Sequence, residues 1–201
     1  MTKANQKLCL FLDRDGVINI DYGYVSKKED FIFIDGIFDL TRFAQSKNLL
    51  VIVVSNQSGI GRGIFTEDDF SILNEYMMQT FSHAGIDINA VYYCPTHPEE
   101  GIGIYKTESI NRKPNPGMFI SAAKEYNIDL KKSFMIGDRL SDIEASTKAG
   151  IGNRYLFNPK EENLYTEIDS DYIENIGTTK QYKNLGDIQK EIKTFLEKNN
   201  L

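Results

Sequence analysis

Asp13 and Asp15 follow directly after an apolar run and are separated by a single residue, in the segment FLDRDGV at 11–17. Two carboxylates held this close repel each other, and a proton or a cation must relieve the repulsion. Mg²⁺, a hard divalent cation that prefers oxygen ligands, is the natural counter-charge. The pattern predicts a magnesium site, although a polar turn with Gly16 at its bend would have the same sequence.

A second segment, SNQSGIGRG at 55–63, carries groups that could bind a phosphate. It offers the Ser55 hydroxyl, two side-chain amides and backbone N–H groups exposed by glycines, all of which can donate to phosphoryl oxygens. Its glycine spacing and lack of a lysine match neither a Walker loop nor a dinucleotide fingerprint. The alternative is a flexible polar turn.

Two later segments supply further charges. In RKPNPG at 112–117 the cations Arg112 and Lys113 stand before two prolines, which restrict the backbone and present Lys113 in one place. In GDRLSD at 137–142 Asp138 follows an apolar run and is a metal-ligand candidate, whereas Asp142 is most simply a favourable acid in the first turn of a helix. A solvated basic pair remains the alternative for Arg112 and Lys113.

The elements that position these residues are predicted from apolar runs that do not alternate with polar residues. Such runs are typical of strands buried on both faces, and strands interleaved with helices indicate a doubly wound parallel α/β sheet. The carboxyl ends of its strands share one edge, where open α/β sheets bind ligands. The predicted strands are Lys7–Asp13, Leu49–Ser55, Ala90–Tyr93, Ser133–Gly137 and Arg154–Phe157.

The predicted helices start at capping signals. Thr66 precedes three acids and an apolar stripe that runs to Gly85, Pro116 opens a helix over 117–126, and Ser141 is expected to cap a helix over 142–149. An amphipathic pattern predicts a last helix over 190–199. The segment 158–184 is polar and irregular, apart from a possible edge strand around Tyr172 and Ile173.

Composition limits the classes of function. The 201 residues suit a single domain over 1–201, and the net charge of −6 with a sequence pI of about 5.0 predicts no general attraction to nucleic acid or anionic membranes. The first apolar run, 8–12, is too short for a signal peptide core or a membrane span, so a cytoplasmic monomer is expected. Cys9 and Cys94 predict no disulfide framework.

The four loops occur in the order Asp-x-Asp, Ser, Lys, Asp, and this set resembles the haloacid dehalogenase (HAD) superfamily of phosphotransferases over about residues 7–157. The segments DRDGVIN, DYGYV, SNQSGIGRG, RKPNPGM and GDRLSD are similar to the group of D-glycero-D-manno-heptose 1,7-bisphosphate phosphatases and histidinol phosphatases. That resemblance implies a Rossmann-like core without a large cap domain. The loop 19–31 would then limit access to the site.

The resemblance also implies a mechanism. Asp13 would be the nucleophile that forms an aspartyl-phosphate, and Asp15 would be the proton donor and acceptor. Mg²⁺ would be held by Asp13, the backbone carbonyl of Asp15 and Asp138. Ser55 and Lys113 would contact the transferring phosphoryl group, and Asp142 would act only through the direct ligands.

The resemblance implies that the substrate is a small phosphorylated sugar. The reaction that it points to most directly is removal of the 7-phosphate from a heptose 1,7-bisphosphate, as in the phosphatases that act on the beta anomer. Arg112 and Arg139 could grip the second phosphate, because guanidinium binds phosphate in two-pronged fashion. The alternatives are a histidinol-phosphate phosphatase, a polynucleotide 3′-phosphatase, which the acidic pI disfavours, and a non-catalytic phosphate-binding scaffold. The residues expected to bind substrate are Asp21, Tyr24, Asn56, Gln57, Ser58, Arg112 and Arg139.

Members of this group commonly carry a structural zinc loop, with Cys-x-His followed by Cys-x-Cys just before Arg-Lys-Pro. Here three of those four positions hold Thr96, Ser109 and Asn111, and none of these suits tetrahedral zinc. Only Cys94 keeps its place, with His97 one residue away from the expected position. We therefore expect no structural zinc, and hydrogen bonds and packing in its place.

Overall fold

A six-stranded parallel sheet organises the molecule. The computed structural model describes residues 6–159 and 181–201, and within them every strand pairs in parallel, in the order β3-β2-β1-β4-β5-β6. This confirms the doubly wound α/β prediction. The strands are β1 Cys9–Leu12, β2 Leu50–Asn56, β3 Ala90–Cys94, β4 Phe134–Gly137, β5 Asn153–Phe157 and β6 Gln181–Tyr182.

Helices cover both faces of the sheet. Side chains of α1, α3 and α6 pack into one apolar cluster with Leu10 and Leu12 of β1, and those of α4 and α5 pack into a second cluster with Cys9 and Phe11. Because successive residues of a strand point to opposite faces, β1 must be apolar throughout. The helices are α1 Ile37–Ser46, α2 Ser58–Gly61, α3 Glu67–His83, α4 Gly117–Tyr126, α5 Leu140–Ala149 and α6 Leu185–Lys198.

The five predicted strands are confirmed to within two residues at each end. The start of α3 also follows the prediction, because Thr66 caps it. The Thr66 Oγ1 accepts a hydrogen bond of 3.0 Å from Asp69 N, and Thr66 N donates to the Asp69 carboxylate at 2.9 Å. This reciprocal arrangement satisfies two backbone donors that the first turn would leave unpaired.

Two predicted helix starts were wrong. Ser141 does not cap α5, which begins at Leu140; the backbone N–H of Arg139 donates to the Asp142 carboxylate at 3.0 Å instead. The last helix begins at Leu185 rather than near Lys190, because the Asn184 side chain accepts from Asp187 N at 2.9 Å and caps it. Helix α5 starts before the serine that was expected to cap it, and the cap of the last helix lies upstream of the apolar stripe used for its prediction.

Three of these elements were not predicted, among them the short helix α2, which falls in the segment interpreted as a phosphate-binding loop or a polar turn. Helix α1 follows Gly36, which has a φ of 83° and offers no capping side chain, so its start carries no sequence signal. Strand β6 falls in the segment predicted to be irregular, and the predicted edge strand around Tyr172 and Ile173 lies outside the described residues.

The carboxyl edge of the sheet is open. No large cap domain covers this edge within residues 6–159 and 181–201, as predicted. In the same part of the chain, no helix combines the length and apolar character that crossing a membrane would require.

Candidate active site

The predicted residues converge at the carboxyl ends of β1, β2 and β4. They surround a cavity of about 510 Å³, and Asp138 lies beside it in a cluster with Asp13 and Asp142. The convergence follows from the parallel sheet, which brings the ends of distant strands to one edge. The predicted residues that line the cavity are Asp13, Asp15, Asp21, Tyr24, Ser55, Asn56, Gln57, Ser58, Arg112, Lys113 and Arg139.

Asp13 is held through only one of its oxygens. Strand β1 ends at Leu12, and the Asp13 Oδ1 accepts a hydrogen bond from Arg14 N at 2.7 Å and lies 3.0 Å from Lys113 Nζ. Among the described residues, no hydrogen bond reaches the Asp13 Oδ2. The carboxylate is therefore oriented while one oxygen is left for chemistry.

Lys113 is buried and surrounded by oxygens. Its Nζ donates to Val54 O at 2.9 Å and lies 2.6 Å from Asp142 Oδ1, in addition to its contact with Asp13. Burial lowers the pKa of Lys113, but the charges and hydrogen bonds of Asp13 and Asp142 outweigh burial and raise it above its ordinary value. The ammonium group is thus kept charged at the wall of the cavity.

Asn56 fixes the backbone of Lys113. The Asn56 amide nitrogen donates to Lys113 O at 2.9 Å, and the Asn56 amide oxygen accepts from Lys113 N at 3.0 Å. Both halves of the amide are thereby used. Asn56 therefore positions the backbone of Lys113. The substrate-binding role predicted for Asn56 from the sequence would be an additional one.

Asp13, Asp138 and Asp142 form a compact carboxylate cluster, with one oxygen of each lying within 4.8 Å of the others. Burial and the neighbouring carboxylates raise the pKa of Asp13 to about 7 and that of Asp138 to about 8. When all three carboxylates of the cluster are ionised, the nearest cations are Lys113, which contacts Asp13 and Asp142, and Arg139, whose Nε lies 3.9 Å from the Asp138 Oδ2. Arg139 is shared with Asp21, so negative charge is left over that a bound cation would balance.

The donor set of this cluster fits Mg²⁺, which takes oxygen ligands. One observation favours a cation at this position: the Asp138 Oδ1 is buried and accepts no hydrogen bond from any described residue. The structure also brings Asp142 closer to the centre of the site than the sequence analysis expected. The spacing of four residues from Asp138 was visible, but its place in a helix start gave a simpler explanation.

Gly16 allows Asp138 to approach β1. A Cβ atom at Gly16 would lie 2.1 Å from the Asp138 Oδ2, and Gly16 has a φ of 85°, which L side chains rarely adopt. The turn after Asp15 therefore requires glycine for two reasons. The sequence indicated the bend but not the neighbour that it accommodates.

Asp15 has different surroundings from Asp13. Its carboxylate accepts hydrogen bonds from Arg14 Nη2 at 2.8 Å, from Asn19 Nδ2 at 3.1 Å and from Gln57 Nε2 at 2.9 Å. The Gln57 bond to Asp15 links the two loops, and Gln57 also donates to Ser55 Oγ at 2.8 Å within its own loop. The Asp15 carboxylate is thus fixed by three donors at the cavity wall.

Two arginines contact the loop 19–31, which we call the access loop. Arg139 forms an ion pair of 2.9 Å with Asp21, whose other oxygen accepts from Gly23 N at 2.8 Å. On the opposite side, the Arg62 guanidinium lies 5.7 Å from the centre of the Tyr24 ring. Arg62 lines the cavity as well, and the sequence analysis missed it although it stands at the end of the glycine-rich segment.

The segment 94–111 does not have the ligands of a zinc site. The Cys94 Sγ lies 3.3 Å from Thr96 Oγ1, and the His97 Nδ1 accepts from Glu100 N at 3.0 Å. Arg112 Nη1 donates to Thr96 O at 3.1 Å. Among the described residues neither Cys94 nor His97 belongs to a group of three metal-binding side chains, so no role is assigned to zinc.

Comparisons with known proteins identify relatives of this chain. A family model described as HAD-hydrolase-like matches residues 110–153. A D-glycero-alpha-D-manno-heptose-1,7-bisphosphate 7-phosphatase from Burkholderia mallei is 49% identical over 166 residues, which cover 83% of this chain and 88% of the relative. A D-glycero-beta-D-manno-heptose-1,7-bisphosphate 7-phosphatase from Vibrio cholerae is 48% identical over 150 residues, which cover 75% of this chain and 81% of the relative.

A solved structure is similar over nearly the whole fold. The D,D-heptose 1,7-bisphosphate phosphatase from B. bronchiseptica, complexed with magnesium and phosphate, has a TM-score of 0.74 and 26% identity to this chain. The match covers 94% of this chain and 98% of that one. The similarity thus extends beyond the segment that the family model matches.

Proposed function

Because the chain belongs to the heptose 1,7-bisphosphate phosphatase group of the HAD superfamily and is a phosphoric monoester hydrolase, we propose that it removes the 7-phosphate from a D-glycero-D-manno-heptose 1,7-bisphosphate. We further propose that it does so in the cytoplasm, with Mg²⁺, through an aspartyl-phosphate. The relatives named for the alpha and beta anomers are nearly equally similar, so the proposal covers both.

The contacts of Asp13 carry this proposal. The Lys113 ammonium and the Arg14 N–H both hold Oδ1, while Oδ2 accepts no hydrogen bond from the described residues. A nucleophilic carboxylate needs this combination of fixed orientation and one unhindered oxygen. The second acid, Asp15, stands on the same cavity wall, where proton transfer to a leaving group requires it.

In the first step, an Asp13 oxygen attacks phosphorus and the bond from phosphorus to the ester oxygen breaks. The electrons of that bond go to the ester oxygen, which takes a proton from Asp15 and leaves as the sugar hydroxyl. In the second step, water attacks the phosphorus of the aspartyl-phosphate and gives a proton to Asp15. The bond to Asp13 breaks, which releases inorganic phosphate and restores both carboxyl groups to their starting forms.

Lys113 and Ser55 would contact the phosphoryl oxygens during both steps. The buried ammonium offsets negative charge that would otherwise repel the Asp13 carboxylate from an anionic substrate. The residues that would hold Mg²⁺ are Asp13, Asp138 and the backbone carbonyl of Asp15, with Asp142 close enough to join them. When bound, the metal would neutralise charge on the transferring phosphoryl group.

A second phosphate on the substrate would meet guanidinium groups at the rim of the cavity. Arg62, Arg112 and Arg139 all line it. Each already takes part in a contact that an anion could share or replace, namely Arg62 with Glu100, Arg112 with Thr96 O and Arg139 with Asp21. Arg112 is half-buried, and its burial together with the charge of Arg62 lowers its pKa, which an anion placed between the two would counteract. A bisphosphate uses such a rim better than a monophosphate does.

Phosphate release from a panel of esters tests the proposal. We expect the highest kcat/KM with heptose 1,7-bisphosphate, release of one phosphate per molecule, and no activity after exhaustive chelation until Mg²⁺ is restored. Histidinol phosphate and a 3′-phosphorylated oligonucleotide complete the panel. Faster turnover of either one would replace the proposed substrate, and no turnover of any ester would favour a phosphate-binding scaffold.

A further inference from the structure

Arg14 stands between the nucleophile and the acid in sequence, but its side chain points away from the nucleophile and is buried. Only 1% of it is exposed, and it is among the largest side chains that the fold encloses completely. A guanidinium group is always charged in proteins, so burying it has a large desolvation cost unless a counter-charge accompanies it. The position of this charge therefore requires an explanation.

The counter-charge is Asp15. The Arg14 Nη2 lies 2.8 Å from each of the two Asp15 oxygens, which is a forked contact centred on the carboxylate. The Asn19 and Gln57 amides also donate to Asp15, but neither carries a charge. Arg14 is thus the single cation within ion-pair distance of Asp15 among the described residues.

The same nitrogen also anchors the access loop. Arg14 Nη2 donates to Val25 O at 2.8 Å, one residue after Tyr24, which has a φ of 54° at the tip of the loop. The guanidinium carbon lies 5.8 Å from the centre of the Phe70 ring, and the Nε and Nη1 atoms have no hydrogen-bond partner in the described part of the chain. The guanidinium group therefore makes all its hydrogen bonds through Nη2, which joins Asp15 to the access loop.

We propose that Arg14 is a positioning residue: it holds the Asp15 carboxyl group in place for proton transfer and couples that placement to the access loop through Val25. This inference rests on the proposed function, because it concerns the acid and base of that reaction. The Arg14 side chain does not line the cavity, and its guanidinium group contacts the Asp15 carboxylate rather than that of Asp13. Its effect on the reaction is exerted through Asp15.

The two chemical steps depend differently on Asp15, and this difference supplies a test. p-Nitrophenolate is a good leaving group and needs no proton, so transfer of its phosphoryl group to Asp13 does not require a well-placed acid. Hydrolysis of the aspartyl-phosphate still requires Asp15 to take a proton from water. Loss of the positioning contact should slow the second step and leave the first nearly unchanged.

The experiment uses p-nitrophenyl phosphate as the substrate. Stopped flow follows the release of p-nitrophenolate in wild type, Arg14→Met and Arg14→Lys. We expect Arg14→Met to show a burst of one p-nitrophenolate per active site, followed by a steady rate lowered by about 10- to 100-fold, because a displaced catalytic group costs rates of this order. Arg14→Lys retains the positive charge but loses the guanidinium group. Its steady rate should lie between those of wild type and Arg14→Met. The ratio of burst amplitude to steady rate, which should rise in Arg14→Met, is the quantity that reports positioning.

A merely structural role would lower the burst amplitude and the steady rate together, since both count folded active sites, and would leave their ratio unchanged. That result would overturn the inference, even if Arg14→Met folds poorly, because the ratio is independent of the folded fraction. Arg42→Met removes an exposed arginine of α1 and should match wild type. A wild-type protein without turnover of any phosphate ester would instead overturn the proposed function.

Discussion

At the scale of single residues, the two acids of the Asp-x-Asp segment have unlike partners. Asp13 contacts the buried Lys113 and belongs to the carboxylate cluster, whereas Asp15 contacts the guanidinium of Arg14 and two amides. Their separation into different surroundings begins where β1 ends at Leu12. One acid can therefore serve as nucleophile while its neighbour handles protons.

The nucleophile assignment predicts that Asp13→Asn abolishes phosphate release while the fold is retained. The amide has nearly the same shape but cannot attack phosphorus, so turnover should fall by about 1,000-fold or more. Removing a negative charge from the cluster should not lower the melting temperature. Asp39→Asn, on the exposed face of α1, is the matched control and should keep full activity. More than a few per cent of wild-type turnover in Asp13→Asn would refute the assignment.

A second prediction concerns Gly16. Gly16→Ala places a Cβ atom against the Asp138 Oδ2, whereas Gly150→Ala has the same φ of 85° but no atom within 4 Å of the new Cβ. Both variants should lose about 1 to 2 kcal/mol of unfolding free energy from the left-handed backbone. Only Gly16→Ala should also lose magnesium-dependent activity. Equal activity losses in the two variants would show that strain, and not the displaced carboxylate, is responsible.

The residue types at the site were largely predictable, but their pairing was not. Asp13, Ser55 and Asp138 each follow an apolar run, Lys113 stands before two prolines, and parallel strand ends must meet at one edge. The contact between Asp142 and Lys113 joins residues that are far apart in the chain. No local pattern specifies such a contact.

At the scale of elements, the segment 94–111 is held by backbone hydrogen bonds, and three of the zinc-ligand positions implied by the family resemblance hold Thr96, Ser109 and Asn111. Its backbone joins the glycine-rich loop, because Gly61 N donates to Pro95 O at 3.1 Å and Ile102 N donates to Gly61 O at 2.8 Å. Within the segment, His97 N donates to Tyr105 O at 3.0 Å. Since the segment leads directly into Arg112 and Lys113, these hydrogen bonds help to place the two cations.

This arrangement predicts that the protein folds and is stable without zinc. Elemental analysis should find no stoichiometric zinc, and a chelator strong enough to strip zinc should leave the melting temperature of the magnesium-free protein unchanged. Cys94→Ser keeps a side chain that can contact Thr96 and should lower stability only slightly. A bound zinc ion whose removal melts the segment would contradict the prediction.

Element boundaries show where prediction from sequence failed. Strands and α3 have local signals, namely continuous apolar runs and the Thr66 cap, and these elements were predicted. Helix α1 follows an uncapped glycine, and β6 has only two residues. Both are stabilised by packing against elements that are distant in sequence, so their local sequence does not specify them.

At the scale of the whole molecule, the charge at the cavity rim has the opposite sign to the net charge of the chain. The chain carries a net charge of −6, yet the cavity rim has the cations Arg62, Arg112 and Arg139, with Lys113 below them. Screening at physiological ionic strength limits the effect of remote charges to about 8 Å, so the local cations dominate at the rim. An acidic protein can in this way bind a small phosphorylated ligand without attracting nucleic acid. We also expect it to be a monomer, which light scattering would test.

Ligand binding at this edge should stabilise the entire domain, because the carboxylate cluster and the cations come from four separate segments that unfolding would disperse. With Mg²⁺ at about 100 times its dissociation constant, linkage gives about 2.7 kcal/mol, and inorganic phosphate at the same ratio adds about as much. For a domain of this size, each contribution corresponds to a rise in melting temperature of roughly 5 to 10 °C.

Thermal unfolding with and without the two ligands measures this rise. Asp138→Asn removes a proposed metal ligand, so the increment due to Mg²⁺ should disappear in this variant, while Asp39→Asn should retain the full shift. The same Mg²⁺ increment in Asp138→Asn would mean that the cation binds elsewhere. Because the shift needs no turnover, it tests the metal site independently of the identity of the sugar.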